Sequence, residues 1–262
     1  MEDNQTSCQD LRLLLDQEAA RINSVDFIAD DPVQFPRLFS DKRDIEIVSL
    51  LASTIAWGNR KMICRNVSKM ISLMGHAPYY YVMDRGYEDL DDEGNIHRTF
   101  FNRNFKHYLA GLYEIYSRHA SLEDFAAASC VDRCELPAWR LAEAINSSIA
   151  SACGGMADNR CMPQNVSSSA LKRLNMALRW LVRDDGIVDL GVWSILRPSQ
   201  LYIPYDVHVQ NTSRSLGLVK RKSVDRRAVE ELTATLRTFD PVDPVKYDFA
   251  LFGLGIEAKN EK

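Results

Sequence analysis

The sequence predicts an all-α fold. Helical spacing dominates it, no strand pattern is sustained enough to build a sheet, and paired prolines mark where a helix must stop. In "DIEIVSLLASTIAWGNRKM", Ile47, Leu51 and Ile55 fall at i, i+4 and i+8, one stripe along a helix. Phe101, Phe105, Tyr108, Leu112 and Ile115 line one face of a second helix, and Trp139, Ala142, Ile145 and Ile149 line a third. "SLEDF" places Ser121 three residues before Asp124, a capping-box spacing at a helix start. From Ser223 to Thr238 the period runs through Val229, Leu232 and Leu236 and ends at "FDPVDP", where two prolines forbid continuation. The Tyr79-Tyr80-Tyr81 cluster reads as core.

The chain has 262 residues, 46% hydrophobic and 26% charged, enough to bury a sizeable core in one large domain or two small lobes. No apolar run approaches the roughly 18 to 20 residues needed to cross a bilayer, and "MEDNQTSCQD" is acidic rather than a secretion signal, so a cytoplasmic protein with no membrane partner is expected. Six cysteines, at 8, 64, 130, 134, 153 and 161, form no disulfide framework, and "CVDRC" has no second Cys/His pair at zinc-ligand spacing. No metal site is expected. The net charge of −4 argues against a protein that coats nucleic acid. Its distribution is uneven: Asn165 to Arg227 holds eleven Lys/Arg against five Asp, a balance of +6 that leaves −10 for the rest of the chain. Such a basic window is either a solvated face or an anion-binding one.

Within that window, "SALKRLNMALRWLVR" repays closer reading. Leu171, Leu174, Leu178 and Leu181 form a buried stripe, and Lys172, Asn175, Arg179 and Arg183 form an adjacent ridge about 100° around the helix. Lys172 sits near the helix N-terminus, where a cation is unfavourable, so it should lose its proton more readily than a free lysine. An amine nucleophile requires that; a lysine lying in water is the alternative. Further on, "IPYDVHVQNTSRSLGL" places Asp206 as an N-cap, its carboxylate accepting from the free N–H groups of the first turn. His208 reads as a packing or hydrogen-bonding residue rather than a ligand.

Together "MPQNVSSSALKRLNMALRWLVR" and "IPYDVHVQNTSRSLGL" resemble the helix-hairpin-helix DNA glycosylases of the endonuclease-III-like superfamily. Asp206, His208, Val209, Leu216, Gly217 and Leu218 match the second stretch in order and spacing. The resemblance implies a single two-lobed unit over residues 1–262 with a DNA-binding cleft. One lobe would span about 46–205, including the hairpin at 163–183, and the other about 20–45 plus 206–262. It implies that Asp206 is the catalytic carboxylate and that Lys172 is the lysine that forms a Schiff base in the bifunctional members. Asn59, at the end of "LLASTIAWGNR", would be the polar residue offered to the gap left by an extruded base. A closer resemblance, from "DPVQFPRLF" to "KYDFALFGLG", is to a bacterial family of unknown function, similar in style to archaeal 8-oxoguanine glycosylases.

Several departures qualify the match. The hairpin lacks its glycines, offering Asn165 and Ser167–Ser169 instead, and Lys172 and Asp206 stand 34 residues apart, about twice the usual separation. Val207 replaces a threonine, and Asn211 and Ser215 stand where arginines are typical. No cysteine follows Cys161, so the iron–sulfur cluster of many relatives cannot form and no cofactor is expected.

Breaking an N-glycosidic bond builds positive charge on the sugar, which an ionised Asp206 would stabilise, while an uncharged Lys172 would attack. Asn59, Arg173, Asn175, Arg179, Arg183, Lys220, Arg221, Lys222 and Arg227 are the candidate DNA contacts. Trp57, Trp180 and Trp193 are candidate walls for the extruded base, with burial in the core as the alternative. The expected partner is double-stranded DNA carrying a damaged base, met by a monomer in the cytoplasm at the nucleoid. Three functions remain open: a glycosylase acting on an oxidised base, with or without an AP-lyase step; a DNA binder without catalysis; and a helical interaction scaffold without nucleic acid.

Overall fold

Short polar side chains set where several helices begin. In the computed structural model, which describes the backbone of residues 2–260 and the side chains of 9–258, Asp41 caps α3 (Lys42–Thr54) and Asn59 caps α4 (Arg60–Leu73). Ser121 caps α7 (Leu122–Ala128) through the Asp124 N–H, as its spacing predicts. Asp206 caps α10 (Val207–Ser215) and Asp225 caps α11 (Arg226–Phe239). Proline opens α5 (Pro78–Met83) and α8 (Pro137–Ala152), where a missing N–H costs nothing. The other helices are α1 (Glu2–Ile22), α2 (Val25–Asp30), α6 (Asn102–Tyr116), α9 (Lys172–Val182) and α12 (Tyr247–Asn260). Cys8 lies outside the described side chains, and the other five cysteines are free thiols.

The protein is mostly helical, as its periodicity predicts. One small exception is a two-stranded antiparallel hairpin, β1 (Asn95–His97) with β2 (Phe100–Phe101), too short to leave an alternating pattern. None of the described helices is long and apolar enough to cross a membrane. The buried apolar residues form one continuous cluster. Within it α1 and α10 pack on α12, α6 packs on α8, and α3 packs on α9. The α10–α12 contact is close because α12 presents Gly255, where an added Cβ would lie 2.8 Å from Thr212 Oγ1 and 3.1 Å from the His208 carbonyl oxygen.

A buried carboxylate ties the chain together around α3. Glu46, wholly inaccessible, accepts from the backbone N–H groups of Leu122 (2.8 Å) and Glu123 (3.1 Å), from Trp193 Nε1 (2.8 Å) and from the Tyr116 hydroxyl (3.1 Å). Four donors satisfy both its oxygens, although burial still pushes its carboxyl above the usual range. Glu123 continues the knot by accepting from Lys42 and from the Ser194 and Ile195 N–H groups. Trp193 therefore belongs to this structural knot and not to a base pocket, correcting its expected role. Glu46→Gln turns two donors against an amide N–H, and we expect it to cost about 3 kcal/mol in urea unfolding. A loss below about 1 kcal/mol would mean the knot is dispensable.

Candidate functional site

Segments distant in sequence wall one cavity of about 590 Å³. Lys172 opens α9, and Asp206 with His208 stands at the start of α10. α12 supplies Asp248, Phe249 and Phe252, and the 3₁₀ turn Pro32–Gln34 is capped by Asp31. The α3–α4 connection adds Trp57, and Arg60 follows it on α4. Lys172 Nζ rests 3.3 Å from the Ala56 carbonyl oxygen in the connection that follows α3. Asp206 Oδ1 accepts from the His208 and Val209 N–H groups, 2.9 Å each, which is the cap its position predicts.

No side chain caps α9, whose N-cap residue, Leu171, adopts the left-handed conformation with φ of 46°. That conformation costs a non-glycine residue about 1 to 2 kcal/mol, and burial of the leucine side chain offsets it.

Burial governs the charges here. It draws the Lys172 amine below the usual lysine value, against the pull of Asp206, Asp248 and Asp31. It also raises Asp31, although Arg60 lies 3.7 Å away. Asp248 is pushed up to about 7 by burial, with Asp206 adding repulsion while Arg179 and Lys172 oppose the shift. Two weak acids and a weak base thus share one cavity with Asp206, an arrangement suited to moving protons near neutral pH.

Aromatic rings shape the remaining wall. Phe27 meets Phe249 edge-on at 5.4 Å, Phe252 meets His208 edge-on at 5.6 Å, and the Arg60 guanidinium lies 5.0 Å from the Phe252 ring centre. Trp57 is held from behind by His97, whose Nε2 pairs with the Trp57 carbonyl at 2.9 Å.

Lys172, Asp206, Trp57 and Trp180 are brought together at this cavity. Arg179 also borders it, though not as the exposed phosphate contact expected, and other expected residues fall elsewhere. Arg179 and Arg183, read as phosphate contacts, are 3% and 7% exposed and bound in an ion-pair network. Arg179 pairs with Asp189 (3.2 Å) and Asp248; Arg183 pairs with Asp189 (3.0 Å), Asp185 and Asp243. Asn175, 1% exposed, donates to the Ala170 carbonyl and is no surface contact either. The ridge beside the leucine stripe is interior because the 184–193 segment and α12 cover it, which the spacing within α9 does not reveal.

Asn59 is exposed, caps α4 through the Met62 N–H and is not part of the cavity wall. Lys220, Arg221 and Lys222 lie on the α10–α11 connection, away from the wall, with Arg221 paired to Asp225. Arg173 donates to the Thr54 carbonyl at 2.8 Å. Sequence reasoning missed Asp31, Arg60, Asp248 and Phe252. The i, i+4 pair Asp248 and Phe252 within "DPVKYDFALFGLG" was the available signal.

Among the described residues no cluster of His, Cys, Asp or Glu could hold a metal ion. Fold and site together define a helical protein with an amine and carboxylates facing a cavity lined in part by aromatic rings. Residues 31–257 match the family described as protein of unknown function DUF2400, and the chain belongs to that family. No curated protein and no solved structure matches it.

Because folding raises the Asp248 pKa from 3.8 to about 7, the folded state holds an extra proton between those values. The associated stability is complete below about pH 4 and is lost as the pH rises through 7. We expect Asp248→Asn to be less inferior to the wild type at about pH 8 than at about pH 5 in urea unfolding. An equal deficit at both values would remove the assigned titration.

Proposed function

We propose that the protein is a DNA glycosylase with an AP-lyase step, excising an oxidised purine such as 8-oxoguanine from double-stranded DNA in base excision repair. The observation that carries this reading is the convergence of the Lys172 amine and the Asp206 carboxylate on one cavity, from positions 34 residues apart. The cavity volume falls within the roughly 300 to 1,000 Å³ typical of small-ligand sites, which supports its taking an everted base. Trp57, Phe252 and His208 would stack the base. Asp31 and Asp248 would accept from its N–H groups; the N7–H of 8-oxoguanine suits such an acceptor, whereas N7 of guanine is itself an acceptor.

In the proposed reaction the neutral Lys172 amine attacks the sugar C1′. The C–N bond to the base breaks with its electron pair going to the base, which takes up a proton. Asp206 stabilises the positive charge that builds on the sugar, and Asp248 accepts the proton released by the attacking amine. The C1′–O4′ bond then breaks with its electron pair going to O4′, which takes up a proton, and the nitrogen lone pair closes the Schiff base; loss of a C2′ proton from it breaks the C3′–O bond and expels the 3′ phosphate.

In this reading α8, the connection through the 3₁₀ turn Val166–Ser168, and α9 are the counterpart of the helix-hairpin-helix. The two lobes meet at the cavity, and the enzyme works as a cytoplasmic monomer at the nucleoid without a cofactor.

Incubation with a duplex carrying 8-oxoguanine and borohydride should give a covalent adduct, absent in Lys172→Ala. Asp206→Asn should slow base release by roughly 10²-fold or more. Adduct formation should rise with pH and level off below the ordinary lysine pKa of 10.5, because burial lowers that of Lys172. Wild-type protein that binds such duplexes but neither releases base nor forms adduct would refute the catalytic assignment.

A further inference from the structure

Beside the cavity runs an open groove of about 330 Å³ lined by Ala56, Trp57, Asn159, Arg160, Lys172 and Arg173. Ala56, Trp57 and Lys172 face both spaces, so the groove leads to the cavity mouth. Its charge is unbalanced. Arg60, Arg179, Arg183 and Arg221 each have a carboxylate within ion-pair distance, whereas Arg160, Arg173 and Lys172 have none among the described residues. Arg160 and Arg173 also act on each other: after burial, the charge of Arg160 is among the factors that hold Arg173 below the usual arginine value. Two guanidiniums placed together without a counter-ion are destabilising unless an anion joins them.

The turn that carries Arg160 is firmly built. Asp158, almost inaccessible, accepts from Asn104 Nδ2 at 2.9 Å and pairs with His107 Nδ1 at 2.8 Å, both on α6, and accepts from the Arg160 N–H at 2.8 Å. Asn159 Oδ1 accepts from the Gln164 N–H at 2.8 Å. On the opposite side, Arg173 is fixed by the Thr54 carbonyl and lies 5.4 Å from the Trp57 ring centre. Asn159 and Arg160 are both exposed to solvent.

We propose that Asn159, Arg160 and Arg173 form a seat for a phosphate group at the cavity mouth. Guanidiniums bind phosphate through paired, charge-assisted hydrogen bonds, which suits both arginines. Resting on the glycosylase reading, the phosphate is a backbone phosphodiester flanking the everted nucleotide; a free phosphate ligand shares the same chemistry.

Two arms distinguish the sources. The first measures binding of a duplex with a tetrahydrofuran abasic analogue against salt concentration. Arg160→Gln should weaken binding several-fold and flatten the slope of log K against log salt by about one, while Arg118→Gln, at the remote end of α6, leaves it unchanged. The second measures the melting temperature with inorganic pyrophosphate, which should rise for the wild type and not for Arg160→Gln. If the wild type binds duplex and Arg160→Gln matches it in both slope and pyrophosphate response, the seat is overturned while the glycosylase reading stands. If pyrophosphate stabilises only the wild type and no duplex binds, the seat stands as a site for a free phosphate ligand and the DNA reading falls.

Discussion

An arginine cut off from water holds the walls of the cavity in place. Arg179 projects from the last turn of α9 and pairs with Asp189 on the following segment and with Asp248 on α12. Burial disfavours its charge, but the surrounding carboxylates outweigh that cost and keep it firmly protonated. A fixed cation between two carboxylates joins elements that are distant in sequence, and the Phe249 ring, 4.2 Å from the guanidinium carbon, covers it. Removing the guanidinium would leave two buried acids without a counter-charge. The same contact that fixes α12 against α9 therefore also presents Asp248 beside Lys172.

This arrangement sets the chemistry through proximity rather than through any one unusual side chain. Asp206 is an ordinary helix cap, and Lys172 is an ordinary donor to a carbonyl of the α3–α4 connection. They face one cavity because α10 is drawn against α12 at Gly255 while α9 is drawn against α3. Water exclusion then shifts the Lys172, Asp31 and Asp248 proton equilibria toward their neutral forms.

Local features were legible in the sequence because they depend on near neighbours. The leucine stripe of α9 and the Ser121 and Asp206 caps follow from spacings of two to four residues, and the structure contains each of them. Features that depend on what covers a helix were not legible. Arg183 looked like a solvent-facing cation because nothing in α9 announces that Asp185, Asp189 and Asp243 fold over it. Trp193 and Trp180 are both buried tryptophans, yet only Trp180 borders the cavity; Trp193 is claimed by Glu46, 147 residues away. Asp248 was hidden in a helix apolar on most sides, where no amphipathic stripe singles out a face.

The bond between Lys172 and the Ala56 carbonyl gives the amine a resting partner that it would have to abandon in the proposed reaction. Ala56 begins the short connection bearing Trp57, so a guest that claims the lysine also deprives that connection of one of its anchors. Occupancy and local loosening are thereby linked: a more pliant connection makes capture easier, and capture in turn makes the connection more pliant.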